Sequence, residues 1–270
     1  MAPTRDTNPS VHQETFVSEL RARREAAKLS RSKLAVALGC TPQWLGKVES
    51  FEKPPSEGLA DDLDTYFHAG GMFRRTWEKH AEARKRGLIP SGFRPLAEAE
   101  PEASQFSIFA PLLMPGLLQT EEHARMVFGA EQRADKAEEL LVVRMERQAI
   151  FAKAEPPLMF VLIREAVIRD LHAEIKKGQC RRLLDVLGEP NVSIQLIPVG
   201  AHVFQGSGFQ VLSFDEGPDV VYVDGAGAHG QMITEAASVR RLTVLFNMIR
   251  SAALSARESE DLIRTIMEST

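Results

Sequence analysis

Residues 30–50 read SRSKLAVALGCTPQWLGKVES, and no other stretch restricts the fold as tightly. Ser30 is a good N-cap, because its hydroxyl can accept a bond from an unpaired backbone N–H at a helix start. Leu34, Ala35 and Leu38 then recur at helical spacing on one face. Gly39 stands where the chain must turn sharply, and glycine enters the left-handed backbone region without a Cβ penalty. Thr41 is a second N-cap, and Pro42 follows at the first helical position, where its missing N–H costs nothing. Leu45 and Val48 face back toward the first helix, and the small Ala35 lets the two helices approach closely. The stretch therefore reads as two short helices joined by a tight turn.

Residues 14–67 around this pair resemble the XRE family of helix-turn-helix regulators, which shares the fold of the lambdoid phage repressors. The resemblance implies a recognition helix over residues 41–50, capped by Thr41. It places Pro42, Gln43, Trp44 and Lys47 at base-reading positions and Arg31 at the phosphate-contacting start of the preceding helix. It also implies a buried ion pair between Arg24 and Glu49. The chain departs from the family pattern in three places. Pro42 stands where many members carry Gln, Gly46 weakens the middle of the helix by roughly 1 kcal/mol relative to Ala, and Phe51 replaces the usual glycine after it. An ordinary helical hairpin in a core shares the spacing. The two caps, the turn glycine, Ala35 and the Arg24/Glu49 match together favour DNA binding.

A chain of 270 residues is long enough for a second domain. No apolar run approaches the length of a membrane span, and MAPTRDTNPS lacks the apolar centre of a signal peptide. Cys40 and Cys180 have no CxxC partner, so neither a disulfide framework nor a zinc site is expected, and a reducing cytoplasm is the expected location. The net charge of −4 by itself argues against a nucleic-acid binder. Its distribution does not: residues 1–94 carry +4 and residues 95–270 carry −8. A basic head and an acidic body fit a protein that offers only one part of itself to DNA.

The pattern predicts a disordered arm over residues 1–13, a helix-turn-helix domain over 14–69, a connector helix and linker over 70–104, and a C-terminal domain over 105–270. The first domain holds helices over 14–28 and 57–67 beside the central pair. Gly70-Gly71 breaks the chain before a helix over 72–86 that ends in the basic run Arg84-Lys85-Arg86. Three prolines over 89–104 mark the linker. Beyond it, strands are expected over 106–109, 158–163, 192–197, 209–214 and 220–223. Helices are expected after the Thr120 cap and over 137–152, 164–175, 181–187, 234–253 and 256–268. The fold class is α+β: an all-α head, then a small sheet flanked by helices.

MPGLLQTEEHAR, VVRMERQAIF, VSIQLIPVGAH and VVYVDG make the region from Phe106 onward similar to the C-terminal domain of the actinobacterial WhiJ-like regulators. The resemblance implies an antitoxin-like arrangement, with a small cognate partner protein encoded nearby.

Arg144 and Arg147 lie one helical turn apart and could grip a carboxylate or phosphate of a ligand or partner, or pair with an acid of the chain itself. His202 and His229 sit in the glycine-rich loops GAHVFQGSG and DGAGAHG. These loops match no phosphate-binding fingerprint and are expected to rim a ligand or partner pocket. With Asp224 the two histidines could form an acid–base group, but no nucleophile elbow or HExxH is present. The expectation is a non-enzymatic regulator with no cofactor or metal. It binds double-stranded DNA as a homodimer and answers either a small cognate protein or a small-molecule effector.

Overall fold

The computed structural model describes residues 10–269, apart from the side chains of residues 131, 134, 135 and 228, and divides between Leu88 and Ile89 into two units. The first unit holds α1 (Val11–Ala26), α2 (Arg31–Ala37), α3 (Pro42–Glu49), α4 (Glu57–Tyr66) and α5 (Met72–Leu88). Side-chain caps start the first four: Ser10, Ser30, Thr41 and Ser56 each accept a backbone N–H three residues on. Of the arm expected over 1–13, residues 1–9 lie outside the described residues. Ser10 is a cap and residues 11–13 form the first turn of α1. This start is held by tertiary contact, because Ser10 Oγ also bonds His80 Nδ1 of α5 at 2.8 Å.

Gly39, at φ +66°, ends α2. Its N–H bonds Val36 O at 3.2 Å, and the Cys40 N–H reaches Ala35 O at 2.9 Å. These two bonds satisfy carbonyls that the helix end would otherwise leave open. Phe16, Val17, Leu20, Leu34, Ala35, Leu45, Val48, Leu63 and Phe73 are fully buried in one core. Phe16 of α1 meets Phe73 of α5 edge-on, with ring centroids 5.2 Å apart.

Helix α5 is therefore part of the head, and the connector expected over 70–104 is divided. Gly70 and Gly71 take φ +61° and +79° and make a turn rather than a boundary. Asp64 of α4 caps α5 by accepting the Phe73 and Arg74 N–H groups at 3.0 and 2.8 Å. Within the expected linker, residues Arg94–Ala99 form α6 and belong to the second unit, where Leu96 is fully buried.

The second unit is built on a six-stranded sheet ordered β3-β2-β1-β4-β5-β6. The strands are β1 (Gln105–Ala110), β2 (Leu158–Arg164), β3 (Val192–Ile197), β4 (Phe209–Ser213), β5 (Val220–Val223) and β6 (Gln231–Ile233). β1, β2 and β3 run parallel, with Ile108 beside Val161 and Val161 beside Ile194. The remaining pairs are antiparallel, with Phe109 beside Phe209. β6 was not expected from the sequence. Three residues carry little periodicity, and pairing with β5 is what makes them a strand.

The parallel strands need crossovers. α7 (Glu121–Glu131) and α8 (Ala134–Arg147) join β1 to β2, and α9 (Glu165–Arg169) and α10 (Ala173–Leu187) join β2 to β3. α11 (Ala236–Arg250) and α12 (Ala256–Glu268) close the chain. The expected helix over 137–152 begins three residues earlier and tightens to a 3-10 turn over Gln148–Ala152. Between α9 and α10 the chain breaks at His172, and α10 is one continuous helix where a separate piece over 181–187 was expected.

Alternate residues of the strands serve two cores. Phe106, Ile108, Val161, Ile194 and Leu212 join Leu183 of α10 and Ile263 and Ile266 of α12. Phe109, Leu162, Phe209 and Val221 join Val239, Phe246 and Ile249 of α11. This division is the period-two alternation of a sheet covered on both faces.

Candidate functional site

Helix α3 has one face locked inward and one edge open. Leu45 and Val48 are fully buried and Glu49 is 1% exposed. Gln43, Lys47 and Ser50 are exposed, at spacings that keep them on one side. Thr41 is exposed at the cap and Pro42 is half-buried. Trp44, also expected at base edges, is less open than Gln43 and Lys47. It is half-buried, packs on the head's own core, and lines a hollow with Leu38, Cys40, Leu59 and Asp62. One helical step past Gln43 rotates a side chain by about 100°, which is enough to turn Trp44 from the open edge to the flank.

Glu49 holds the base of the helix. Its Oε1 accepts Arg24 Nε at 2.8 Å and its Oε2 accepts Arg31 Nε at 2.9 Å. Its backbone carbonyl accepts an N–H from Arg21. A buried carboxylate is costly unless paired, and here each oxygen has a guanidinium partner. Arg31 remains 51% exposed, with its chain passing over Gly46. It is thus a strut of the core at Nε and open to solvent beyond. Phe51 takes φ +63° at the helix end, a region usually left to glycine, while its ring packs on the core.

In the second unit, the residues singled out as a possible grip are used internally. Arg147 is bonded through Nε and Nη2 to both oxygens of Glu100, at 2.7 and 2.6 Å, and stacks on Phe93. Glu100 is 3% exposed, so the fork is a buried structural pair. Arg144 Nη1 donates to Gln119 Oε1 at 2.6 Å, and its guanidinium lies 4.4 Å from the centre of the Phe128 ring. Neither arginine presents the free fork expected of a ligand site. Glu100 and Gln119 lie far off in sequence, so spacing along α8 could not reveal them.

A family model described as Domain of unknown function (DUF5753) matches residues 93–265, more than half of the chain. The chain belongs to that family. A second model, a helix-turn-helix domain, matches residues 15–77. No curated protein and no solved structure matches the chain significantly. The helix-turn-helix domain makes this member of the family a DNA-binding regulator, and no described helix is long and apolar enough to cross a membrane.

Within the family domain, the two glycine-rich loops adjoin. The Asp224 N–H bonds Gly208 O at 2.9 Å, and the Asp224 carboxylate occupies the space that a side chain at position 208 would need. His202 and His229 are both exposed, and His202 tilts over Phe204 with ring centres 6.3 Å apart. Among the described residues, no group of three His, Cys, Asp or Glu side chains is placed to hold a metal ion.

Sequence reasoning passed over a buried polar network behind the MPGLLQTEEHA motif. Gln119 Nε2 donates to Met114 O, and Gln148 Nε2 donates to Gln119 O at 2.8 Å. Gln179 Nε2 donates to Leu118 O, while its Oε1 accepts the Thr120 N–H and His123 Nδ1 at 3.0 and 2.7 Å. Glutamines usually lie outside, so Gln179 within α10 carried no local signal. The one available hint was His123 on an otherwise inward helix face.

Proposed function

We propose that the chain is an XRE-type, WhiJ-like transcriptional regulator of the cytoplasm. It binds a palindromic operator as a homodimer and acts by binding rather than by catalysis. The observation that carries this reading is the open edge of α3, where Gln43 and Lys47 are exposed on a helix fixed from behind by Leu45, Val48 and Glu49. In this reading α3 enters the major groove. Gln43 meets a base edge, Lys47 reaches a base or an adjacent phosphate, and Thr41 and Pro42 bring the helix start against the backbone. Trp44 supports the helix from its flank. The amino groups of Arg31 reach a phosphate while its Nε holds Glu49.

The second unit is then a receptor. Residues 95–270 carry −8, and an acidic surface is repelled by phosphates. One form of signal is a small cognate protein encoded nearby, which the WhiJ-like resemblance implies. A small-molecule effector is the second form, favoured by a cavity lined by His123. Genomic footprinting with and without the neighbouring gene tests the whole reading. Discrete palindromic footprints that disappear with Gln43→Ala are expected, with occupancy changed by the neighbour's product. Footprints unaltered by Gln43→Ala would remove α3 as the reader.

A further inference from the structure

The segments that leave the carboxyl ends of β1, β3 and β5 gather at one end of the sheet. β1, β2 and β3 are parallel, Phe109 near the end of β1 is beside Phe209 at the start of β4, and Phe209 is beside Val223 at the end of β5. Residues 111–119, 198–208 and 224–230 therefore share this rim, and the second segment must cross the ends of β2 and β1 to reach β4. Val199 marks the crossing, its N–H donating to Glu165 Oε2 just after β2 at 2.9 Å.

The rim is apolar. Leu112, Leu113, Val199 and Phe204 are 73%, 69%, 72% and 91% exposed, and Phe204 is the most exposed large apolar side chain described. Apolar side chains gathered in this way mark a surface that something covers. The rim is also nearly free of charge. Its three segments hold no lysine, arginine or glutamate, and their titratable residues are Asp224, His202 and His229. Residues 95–270 as a whole carry −8.

This contrast selects the occupant. A basic partner would be drawn to the acidic remainder of the domain. A second copy is itself acidic, and like-charge juxtaposition is costly, so it approaches most readily where the charge falls away. The few polar groups of the rim also suit a copy of themselves. Burial holds the Asp224 carboxyl above its ordinary pKa, yet the carboxylate has no hydrogen-bond or salt-bridge partner among the described residues. His202 and His229 are exposed, and a ring N–H of either can donate to a carboxylate. A twofold axis brings the same patch of each copy together, which can set Asp224 of one against a histidine of the other.

We propose that this end of the sheet is the homodimer interface, covered by the same end of a second copy. The inference rests on the reading of the chain as a homodimer.

The test is sedimentation of the full chain over a range of concentrations, with circular dichroism to establish that each variant is folded. A reversible dimer is expected. Phe204→Asp and Leu113→Glu place like charges on both sides of the twofold, and each should raise the dimer dissociation constant by roughly tenfold or more. Met248→Asp puts the same charge on α11, at a position 65% exposed, and should leave that constant unchanged. A wild-type chain that stays monomeric throughout would overturn the proposal together with the homodimer reading. A dimer that persists in both rim variants, or that Met248→Asp dissociates equally well, would overturn the proposal alone and leave the homodimer reading standing.

Discussion

Arg31 donates from Nε to Glu49 Oε2 at 2.9 Å, so the arginine at the start of α2 ties that helix to the end of α3. Glu49 holds Arg24 on its other oxygen at 2.8 Å. The two arginines are not equivalent, since Arg24 is 14% exposed and Arg31 51%. Glu49→Ala strands a buried guanidinium and should destabilise the head by about 3–5 kcal/mol in denaturant melts. Arg31→Ala should cost less, because Arg24 still pairs the carboxylate. It should also weaken binding alike on all DNA sequences and lower the salt slope by about one unit. An unchanged slope in a salt titration would leave Arg31 a purely structural residue.

Gln43→Ala removes an exposed side chain that lies outside the head's core, so folding should be unaffected. On the operator the loss should be roughly 1–3 kcal/mol, confined to one base pair. Competition binding against single-base operator variants measures this. Equal loss on random DNA would assign Gln43 to the backbone.

Gly46 sits in the middle of α3, where a Cβ would lie 3.5 Å from Arg31 Cδ and Nη1. That distance is ordinary van der Waals contact, so alanine fits without displacing the arginine. Gly46→Ala should therefore stabilise the head by about 1 kcal/mol through helix propensity alone. A fall in melting temperature would mean that the Arg31 chain cannot accept the methyl group.

Arg147 and Glu100 form a two-bond buried pair, and removing one partner leaves the other charge unpaired. Arg147→Met alone should cost about 3–5 kcal/mol, while Arg147→Met with Glu100→Leu should recover most of the loss. Thermal melts of the two single variants and the double variant decide this. Strict additivity would show that the pair does not act as a unit.

His80 and His123 are both held below the ordinary histidine value of 6.5, chiefly by burial. Each therefore takes up a proton less readily in the folded chain than in the unfolded one, and protonation favours unfolding. Their contribution is fully present above about pH 6.5 and declines as pH falls below it. Melts between pH 8 and pH 5 should show this decline, and replacing either histidine with glutamine should shallow it. A wild-type slope in both variants would assign the decline to other groups.

The head was legible in its sequence because its information is local. Ser30, Gly39, Thr41 and Pro42 specify caps and a turn within a few residues of themselves, and Leu34, Leu45 and Val48 mark their inward faces by spacing alone. Five of the six strands of the second unit were legible from local pattern too, whereas β6 exists only through its pairing with β5. What sequence could not supply was the partner of each polar side chain. Arg147 finds Glu100 forty-seven positions away, and Gln179 meets His123 across fifty-six. Trp44 is half-buried against the core of the head, beside a hollow that Leu59 and Asp62 of α4 also line, and only the packing of that helix sets this. α5 joined the head although two glycines precede it, because Phe73 fills the space beside Phe16. Periodicity and capping act over one or two turns and are fixed by the order of residues. Ion pairs, buried amides and cavity walls act across the fold, and they exist only once the strands and helices have been brought together.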